Sequence, residues 1–158
     1  MSKKEIYSDP QKCTGCKRCE LICSYEHEKE YNHSKSRIRI IHFEENLLGI
    51  PTYCVDCEEK PCQDVCPTGA IKISKHGVSV VDSDLCIGCK QCVFACPFGA
   101  ASFDEEKGIA FQCDLCDGDP QCVEHCPGDA LEFIEIDDAV MKKKRKYIHN
   151  AVDEGGLK

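Results

Sequence analysis

One twelve-residue stretch constrains this chain more than any other, because it spaces four cysteines as C-x2-C-x2-C-x3-C and follows them with proline. It runs from Cys86 to Pro97. Three thiolates two residues apart can wrap one loop around three irons of a cubane cluster, and Gly88 lets the backbone come close because it has no Cβ. Cys96 lies about one helical turn further on and points away from that loop. We therefore expect it to bind the cube of a partner motif, so that such motifs come in pairs.

The whole chain repeats this pattern, and every cysteine belongs to one of four quartets. Quartets one and three have the tight spacing, whereas quartets two and four have four and five residues before the third cysteine. The sequence therefore predicts four [4Fe–4S] clusters held by sixteen cysteine ligands. In chain order, the quartets are Cys13, Cys16, Cys19 and Cys23; Cys54, Cys57, Cys62 and Cys66; Cys86, Cys89, Cys92 and Cys96; and Cys113, Cys116, Cys122 and Cys126.

Zinc and disulfides are the alternative uses of so many cysteines. Zinc sites use C-x2-C pairs about 15–20 residues apart and have no need of a third cysteine two residues on. A disulfide framework is typical of secreted chains. Residues 1–8 lack the apolar run of a signal peptide and a twin-arginine pair, and no stretch approaches about 18 apolar residues. We therefore expect a reducing, cytoplasmic compartment, no membrane span and metal-bound cysteines.

The charge and the missing motifs exclude several classes of function. Twenty basic and 28 acidic residues give a formal net charge of −8, which disfavours nucleic-acid binding. No phosphate-binding glycine loop, serine–histidine–aspartate set or paired carboxylates can be identified, so the chain is not expected to be catalytic. The chain has six histidines, but each quartet already has four cysteine ligands without them. His125, beside Cys126, either packs ordinarily or donates to a cluster sulfur.

Short β-hairpins are predicted between the quartets. Residues 71–73 and 78–80 flank a glycine-containing turn, as do residues 101–103 and 109–111. Residues 37–43 alternate as a half-buried strand, and residues 49–53 can return against it, with Asn46 in the connection. The segment 26–30 reads as a solvated turn or short helix. Aromatic residues are few, so the clusters are expected to supply much of the folding energy.

The C-terminal tail differs in composition from the rest of the chain. Residues 142–146 form a basic block in an otherwise acidic protein. It is either a solvated helix end or frayed terminus, or a docking arm for an acidic partner surface.

Over residues 5–137, the four-quartet pattern resembles the iron–sulfur electron-transfer subunits of the dimethyl-sulfoxide-reductase and formate-dehydrogenase type. Relatives of that family serve tungsten aldehyde oxidoreductases, tungsten benzoyl-CoA reductases, carbon monoxide dehydrogenase and hydrogenases. The resemblance implies an α+β fold of two ferredoxin-like, pseudo-twofold dicluster modules, one inserted in the other. The outer module would comprise residues 1–53 and 98–137, the inner module residues 54–97, and the tail residues 138–158.

The same resemblance implies a nested pairing, first quartet with fourth and second with third. Only 19 residues separate Cys66 from Cys86, which fits a small module set inside a split one. The implied ligand sets are Cys13, Cys16, Cys19 with Cys126; Cys113, Cys116, Cys122 with Cys23; Cys54, Cys57, Cys62 with Cys96; and Cys86, Cys89, Cys92 with Cys66.

The function implied by the resemblance is a relay of single electrons by a non-catalytic subunit. The expected partners are a large tungsten- or molybdenum-cofactor catalytic subunit and, at the other end, ferredoxin, a flavin or nicotinamide subunit, or further copies of this chain in a filament. The short insert of the fourth quartet resembles the small subunits of tungsten aldehyde oxidoreductases and carbon monoxide dehydrogenase, and makes aldehyde oxidation the first choice of partner reaction. A free soluble polyferredoxin carrier is the alternative, as is the corresponding subunit of a carbon monoxide dehydrogenase, hydrogenase, formate dehydrogenase or benzoyl-CoA reductase.

Overall fold

Eight short strands and four short helices form a small mixed α/β fold in the part of the chain that the structure describes. The computed structural model describes residues 3–43, 48–55 and 57–135. The strands are β1 (Lys4–Ser8), β2 (Arg39–Phe43), β3 (Leu48–Thr52), β4 (Ile71–Ile73), β5 (Ser79–Val81), β6 (Ser102–Asp104), β7 (Ile109–Phe111) and β8 (Leu131–Glu135). The helices are α1 (Arg18–Glu28), α2 (Pro61–Asp64), α3 (Gln91–Ala95) and α4 (Gln121–Glu124), with 3-10 turns at His33–Lys35 and Leu115–Gly118.

The described strands pair into four antiparallel two-stranded sheets. Three are the predicted hairpins, β2–β3, β4–β5 and β6–β7, with ends that shift by one or two residues. The fourth joins β1 to β8, with Lys4 opposite Glu135 and Ser8 opposite Leu131. Sequence patterns did not predict this pairing, which brings the segment before the first quartet against the segment after the fourth.

The helices begin in two ways that follow the two kinds of quartet. In quartets one and three, Lys17 and Lys90 adopt left-handed backbone angles, with φ of 57° and 61°, and turn the chain from the cysteine loop into α1 and α3. In quartets two and four, proline starts the helix, with Pro61 at the first position of α2 and Pro120 just before α4. Proline suits a helix start because its fixed φ is already helical and its missing N–H has no partner there.

Two apolar clusters hold these elements together, and cysteines belong to both. The larger cluster contains residues from β1, from the segment 38–53 and from β8, including Ile6, Ile38 and Leu131. The smaller one packs Ile71 and Cys92 against the β6–β7 hairpin. With so little aliphatic material in either cluster, metal at the cysteines would add greatly to the stability of the fold.

The segment 26–30, predicted as a solvated turn or short helix, is helical at its start and exposed at Glu26, Lys29 and Glu30. Helix α1 continues to Glu28, but the segment 26–30 is not simply solvated, because the His27 side chain is only 11% exposed. Asn46, the basic block 142–146 and the tail 138–158 lie outside the described residues. Among the residues that are described, no helix is long and apolar enough to cross a bilayer.

Candidate metal centres

The structure groups the sixteen cysteines, all of them free thiols, into four sets of four. Three sets each line one cavity that is partly open to solvent. Site A comprises Cys13, Cys16, Cys19 and Cys126. Site C comprises Cys54, Cys57, Cys62 and Cys96. Site D comprises Cys66, Cys86, Cys89 and Cys92.

The remaining four cysteines make up site B, which lies in the larger apolar cluster. It comprises Cys23, Cys113, Cys116 and Cys122. Burial raises the pKa of Cys122 well above its usual value, and the neighbouring Cys113, Cys23 and Cys116 raise it further. Burial and then the proximity of Cys23 likewise raise the pKa of Cys113. Each of the four sites therefore combines three cysteines of one quartet with the last cysteine of another.

Glycine is required in the loop of site D by a close approach of backbone to backbone. Gly88 has φ of +71°, and a Cβ there would come within 2.5 Å of the Gly108 carbonyl oxygen. The first quartet has Gly15 at the same point with φ of +68°. Both glycines follow the first cysteine by two residues, so the tight quartets share one loop shape.

A second repeated feature supplies a hydrogen bond to the last cysteine of quartets two, three and four. The amide N–H groups of Ala70, Ala100 and Ala130 donate to the sulfurs of the cysteines four residues earlier, at 3.3, 3.3 and 3.4 Å. The residue before each alanine is in the left-handed region, at Gly69, Gly99 and Asp129. This turn explains why these three quartets share the order cysteine, proline, any residue, glycine or aspartate, alanine.

Cys23, the last cysteine of quartet one, is held differently, because no proline follows it and helix α1 runs on. Its sulfur accepts the backbone N–H of Arg37 at 3.3 Å, fourteen residues away. One turn further along α1, His27 places Nδ1 2.8 Å from the Cys23 carbonyl oxygen and 3.9 Å from its sulfur. Against burial, the hydrogen bonds with His27 and Arg37 lower the pKa of Cys23.

His27 connects site B to two charged side chains. Its Nε2 lies 3.0 Å from the Asp114 carboxylate, and the Arg37 guanidinium donates to the other oxygen of that carboxylate at 2.6 Å. Burial opposes a charged imidazole, yet hydrogen bonding to Asp114, Cys116 and Cys23 raises the pKa of His27 to about 12. Burial likewise opposes the Asp114 carboxylate, but His27 and Arg37 hold its pKa well below the usual range.

The sequence patterns did not predict the group of His27, Asp114 and Arg37, although the sequence contains one signal for it. Histidine four residues after a cysteine lies on the same face of a helix, and α1 continues far enough to place His27 beside Cys23. The arrangement of His27, Asp114 and Cys116 within 4.8 Å could suit a separate metal ion. However, Arg37 already occupies the carboxylate and Cys116 completes site B.

For His125, the ring Nδ1 lies 3.0 Å from the Gln121 carbonyl, which matches the packing alternative.

The donor chemistry fits a cationic iron–sulfide group at each site. Burial raises the pKa of Cys54 to about 12, and the neighbouring Cys62, Cys96 and Cys57 raise it as well. Burial and then Glu20 do the same for Cys19, again to about 12. Thiols this close resist ionising together unless bound metal compensates their charge, and a coordinating thiol is deprotonated outright. All-thiolate sets of four are the ligand sets of [4Fe–4S] clusters.

Exposure differs among the cysteines, all sixteen of which lie within the described residues. Cys16 of site A and Cys89 of site D are exposed, whereas Cys113 and Cys122 of site B are buried. Burial raises the pKa of Cys113, and the nearby Cys54 of site C contributes to that rise. Sites B and C are therefore neighbours, and sites A and D have the exposed sulfurs.

Comparison with known proteins agrees with this chemistry. Residues 46–136 match the 4Fe-4S dicluster domain family, and residues 10–26 match a 4Fe-4S binding domain. The chain is 42% identical over 89 residues, which is 56% of its length, to the polyferredoxin-like subunit of an aliphatic sulfonate oxidoreductase from Pyrococcus furiosus. It is 39% identical over 89 residues, 54% of its length, to the iron–sulfur subunit ArrB of an arsenate respiratory reductase from a Shewanella species.

These matches cover 51% of the Pyrococcus protein and 38% of the Shewanella protein. The chain therefore spans about half or less of the length of these two relatives. A solved chain of the active-site complex BamBC of benzoyl-coenzyme A reductase has the same fold, with a TM-score of 0.53 and 24% identity over 96% of this chain and 92% of that one. Because residues 46–136 are more than half of its length, the chain belongs to the 4Fe-4S dicluster domain family.

Proposed function

We propose that this chain is a non-catalytic subunit that carries single electrons through four [4Fe–4S] clusters between a catalytic subunit and a second redox partner. The observation that carries the proposal is the grouping of sixteen free cysteines into four sets, each drawn from two quartets. When bound, [4Fe–4S] clusters take up and release one electron at a time. The chain contributes the ligands, their hydrogen bonds and the burial that set each potential.

The proposed order of the relay is A, B, C, D. Each dicluster module exchanges last cysteines, which joins A to B and C to D. The proximity of Cys113 to Cys54 supports a step between B and C. The exposed Cys16 and Cys89 support A and D as the ends at which partners exchange electrons. The four ligand sets proposed are the sites as defined above.

The nested modules are part of the same proposal, with residues 1–53 and 98–137 outside and residues 54–97 inside. The β1–β8 sheet supports the outer module, because it pairs the segment before the first quartet with the segment after the fourth. Within the inner module, helices α2 and α3 come from quartets two and three, whose cysteines are shared between sites C and D.

The first candidate for the catalytic partner is a tungsten or molybdenum aldehyde oxidoreductase in the cytoplasm, where thiols stay reduced. Ferredoxin or a flavin or nicotinamide subunit is the proposed second partner. Relatives named as subunits of oxidoreductases support a catalytic partner in general. Phe94 and Ile87, beside site D, are 84% and 66% exposed, and large exposed apolar side chains favour a docked subunit over a free carrier.

Iron content in single and double variants tests the ligand sets. Cys→Ala at one ligand should remove one cluster, or about four irons per chain. Changing Cys23 and Cys116 together should still remove about four irons, whereas changing Cys23 and Cys16 should remove about eight, because those two belong to different sites. A loss of about eight irons from the first pair and about four from the second would contradict the nested sets.

An anaerobic reductive titration tests the relay. The chain should take up about four electrons, one for each cluster, before its visible absorbance stops falling. Purification of the native protein from its host should yield tungsten or molybdenum in a larger, co-purifying subunit. A peak containing this chain alone would instead support the free carrier, and a larger assembly of this chain with itself would support the filament.

A further inference from the structure

The exposed loops of sites A and D share one backbone shape and differ in their side chains. Residues 11–18 and 84–91 each hold two cysteines around a glycine with positive φ, followed by a lysine in the left-handed region. Residues 11–18 contain three cations and no carboxylate, whereas residues 84–91 contain one cation and one carboxylate. Leu85 and Ile87 of the second loop are 41% and 66% exposed. The loop of site A is therefore basic where the loop of site D is apolar.

The basic surface of site A consists of Lys12, Lys17 and Arg18, beside the exposed ligand Cys16. Lys12 and Lys17 line the same cavity as Cys16, and Arg18 is exposed at the first residue of α1. Among the described residues, only Lys12 of these three forms an ion pair with a carboxylate, that of Glu132 at 3.4 Å. Both side chains of that pair are nearly half exposed, so solvent weakens it. Most of the positive charge is therefore available to a partner.

At site D, the equivalent of Lys17 is Lys90, and its charge is already engaged. The Lys90 Nζ donates to the Glu105 carboxylate at 2.6 Å and lies 4.2 Å from the centre of the Phe103 ring. Lys17 has the same backbone conformation but neither kind of partner within the described part of the chain. The free cation is therefore a property of site A and not of the cysteine motif itself.

Helix stability does not account for the cations of site A. Lys17 and Arg18 stand at the N-cap and the first residue of α1, where the positive end of the helix dipole disfavours cations. Glu20, in the first turn, is buried, and its two carboxylate oxygens face the Ile40 N–H and the His33 ring, each at 2.6 Å. Its charge is therefore engaged elsewhere and does not pair with either cation.

We propose that the basic surface of site A is the docking site of a mobile, acidic electron-carrier protein. One electron passes between the redox centre of that carrier and the cluster at site A, and no bond forms or breaks. This inference rests on the proposed function, because it needs a cluster at site A and a relay behind it. The occupant is a redox protein and not an anionic lipid surface, because the cations adjoin Cys16, an exposed ligand of the electron-exchanging cluster.

Charge selects where such a carrier can meet the chain. The formal net charge of −8 repels an acidic protein over most of the surface, and a basic patch beside the cluster attracts it to one productive orientation. Charged rims of this kind favour fast, salt-sensitive encounters, whereas exposed apolar side chains favour lasting interfaces. The apolar loop of site D is therefore left for the catalytic subunit, and the two ends of the relay take different partners.

Stopped-flow reduction of the oxidised, cluster-loaded full chain tests the docking site. The donor is a reduced acidic ferredoxin, and reduced methyl viologen, a small cation, is the comparison. Lys17→Gln combined with Arg18→Glu should lower the second-order rate with ferredoxin about tenfold or more at low salt, because charge steering raises association rates roughly 10- to 1,000-fold. The difference should shrink to about twofold or less in about 1 M salt, where the Debye length is about 3 Å. The rate with methyl viologen should not fall.

Matched variants separate docking from structure. Lys90→Gln makes the change of Lys17→Gln on the same backbone conformation at site D, and should keep the wild-type rate with ferredoxin. Arg18→Lys keeps the charge and should keep most of that rate. Arg18→Glu alone should lower the rate, although a carboxylate at the start of a helix is stabilising. The iron content and the midpoint of thermal bleaching of Arg18→Glu should therefore not fall.

An equal rate with ferredoxin in the wild type and the double variant would overturn the proposal, as would an equal loss in Lys90→Gln. A loss with ferredoxin and methyl viologen alike would also overturn it, because it would indicate a damaged cluster. Self-association of the wild-type chain in sedimentation that the double variant abolishes would assign the surface to a second copy of this chain instead. Failure of the proposed function would show differently, as fewer than four one-electron couples in the wild-type chain.

Discussion

The outer sites, A and B, and the inner sites, C and D, use the same ligand chemistry in different surroundings. At the outer sites, Cys19, Cys23, Cys113 and Cys122 are buried, whereas at the inner sites only Cys92 is. The outer cysteines lie in the larger apolar cluster with Ile6, Ile38, Ile40 and Tyr53, most of which come from the segment between quartets one and two. The inner sites have no comparable insertion, and two large apolar side chains beside site D, Ile87 and Phe94, are 66% and 84% exposed.

The same cysteine motif therefore lies in the buried core at site B and close to the surface at site D. The 30 residues between Cys23 and Cys54 cover site B and bring Arg37 to it. Glu20 joins that segment to α1, because its carboxylate accepts the N–H of Ile40 at 2.6 Å and faces His33 at the same distance. Site B is therefore part of the core of the protein, while site D lies closer to solvent and to any partner.

Removing a ligand should have its largest effect at the buried outer sites. Cys113→Ala should remove one cluster and also destabilise the surrounding core, because Cys113 packs with Leu115 and Cys122 in the larger cluster. Cys89→Ala, at an exposed ligand of site D, should lose about four irons and keep the remaining three clusters. Circular dichroism and iron content of the two variants, prepared anaerobically, give the comparison. Equal loss of structure in both would show that the two regions do not differ.

Iron release to a chelator should occur in two phases. An exposed site is reached without unfolding, whereas a buried one must wait for the core to open. The fast phase should involve about half of the iron and come from sites A and D, whose ligands Cys16 and Cys89 are exposed, so Cys89→Ala and Cys16→Ala should each shrink it. The slow phase should come from sites B and C and should keep its size in both variants. Release of all the iron in a single phase would contradict the difference in accessibility between the sites.

A methyl group on the loop of site D should weaken the inner region. Gly88→Ala places a left-handed residue in strain that costs roughly 1–2 kcal/mol, and its Cβ would lie 2.5 Å from the Gly108 carbonyl. Gly69→Ala is the matched control, because φ is +63° there but nothing lies within 4 Å of the added atom. The midpoint of thermal bleaching should fall further for Gly88→Ala. Equal midpoints would mean that the positive φ alone, and not the contact with Gly108, causes the loss of stability.

The smallest expected effect comes from one hydrogen bond in the outer region. The Tyr53 hydroxyl donates to the Ile6 carbonyl at 2.7 Å and ties the end of the insertion to β1. Tyr53→Phe leaves that buried carbonyl with one partner fewer, at a cost of about 1 kcal/mol. The midpoint of thermal bleaching should therefore fall slightly, and by less than it does for Gly88→Ala. An unchanged midpoint would mean that this bond does not stabilise the contact between the insertion and β1.

Sequence spacing predicted the kind of site well, because the tight loops of quartets one and three depend on local geometry. The three hairpins were also predicted, since alternation and glycine turns are local signals. The β1–β8 pairing was not predicted, because 122 residues separate Ser8 from Leu131 and the sequence of neither strand indicates which strand it pairs with. The group of Arg37, His27 and Asp114 was missed for the same reason, as it assembles from three separate segments. The nested ligand sets came from family resemblance, and ligation itself stays a prediction.

The most direct test of the account is the iron, acid-labile sulfide and zinc content of the anaerobically purified wild-type chain. Four [4Fe–4S] clusters require about sixteen irons and about sixteen sulfides per chain, with zinc absent. Stoichiometric zinc in place of iron and sulfide, or a full occupancy of only about eight irons, would contradict the four-cluster relay.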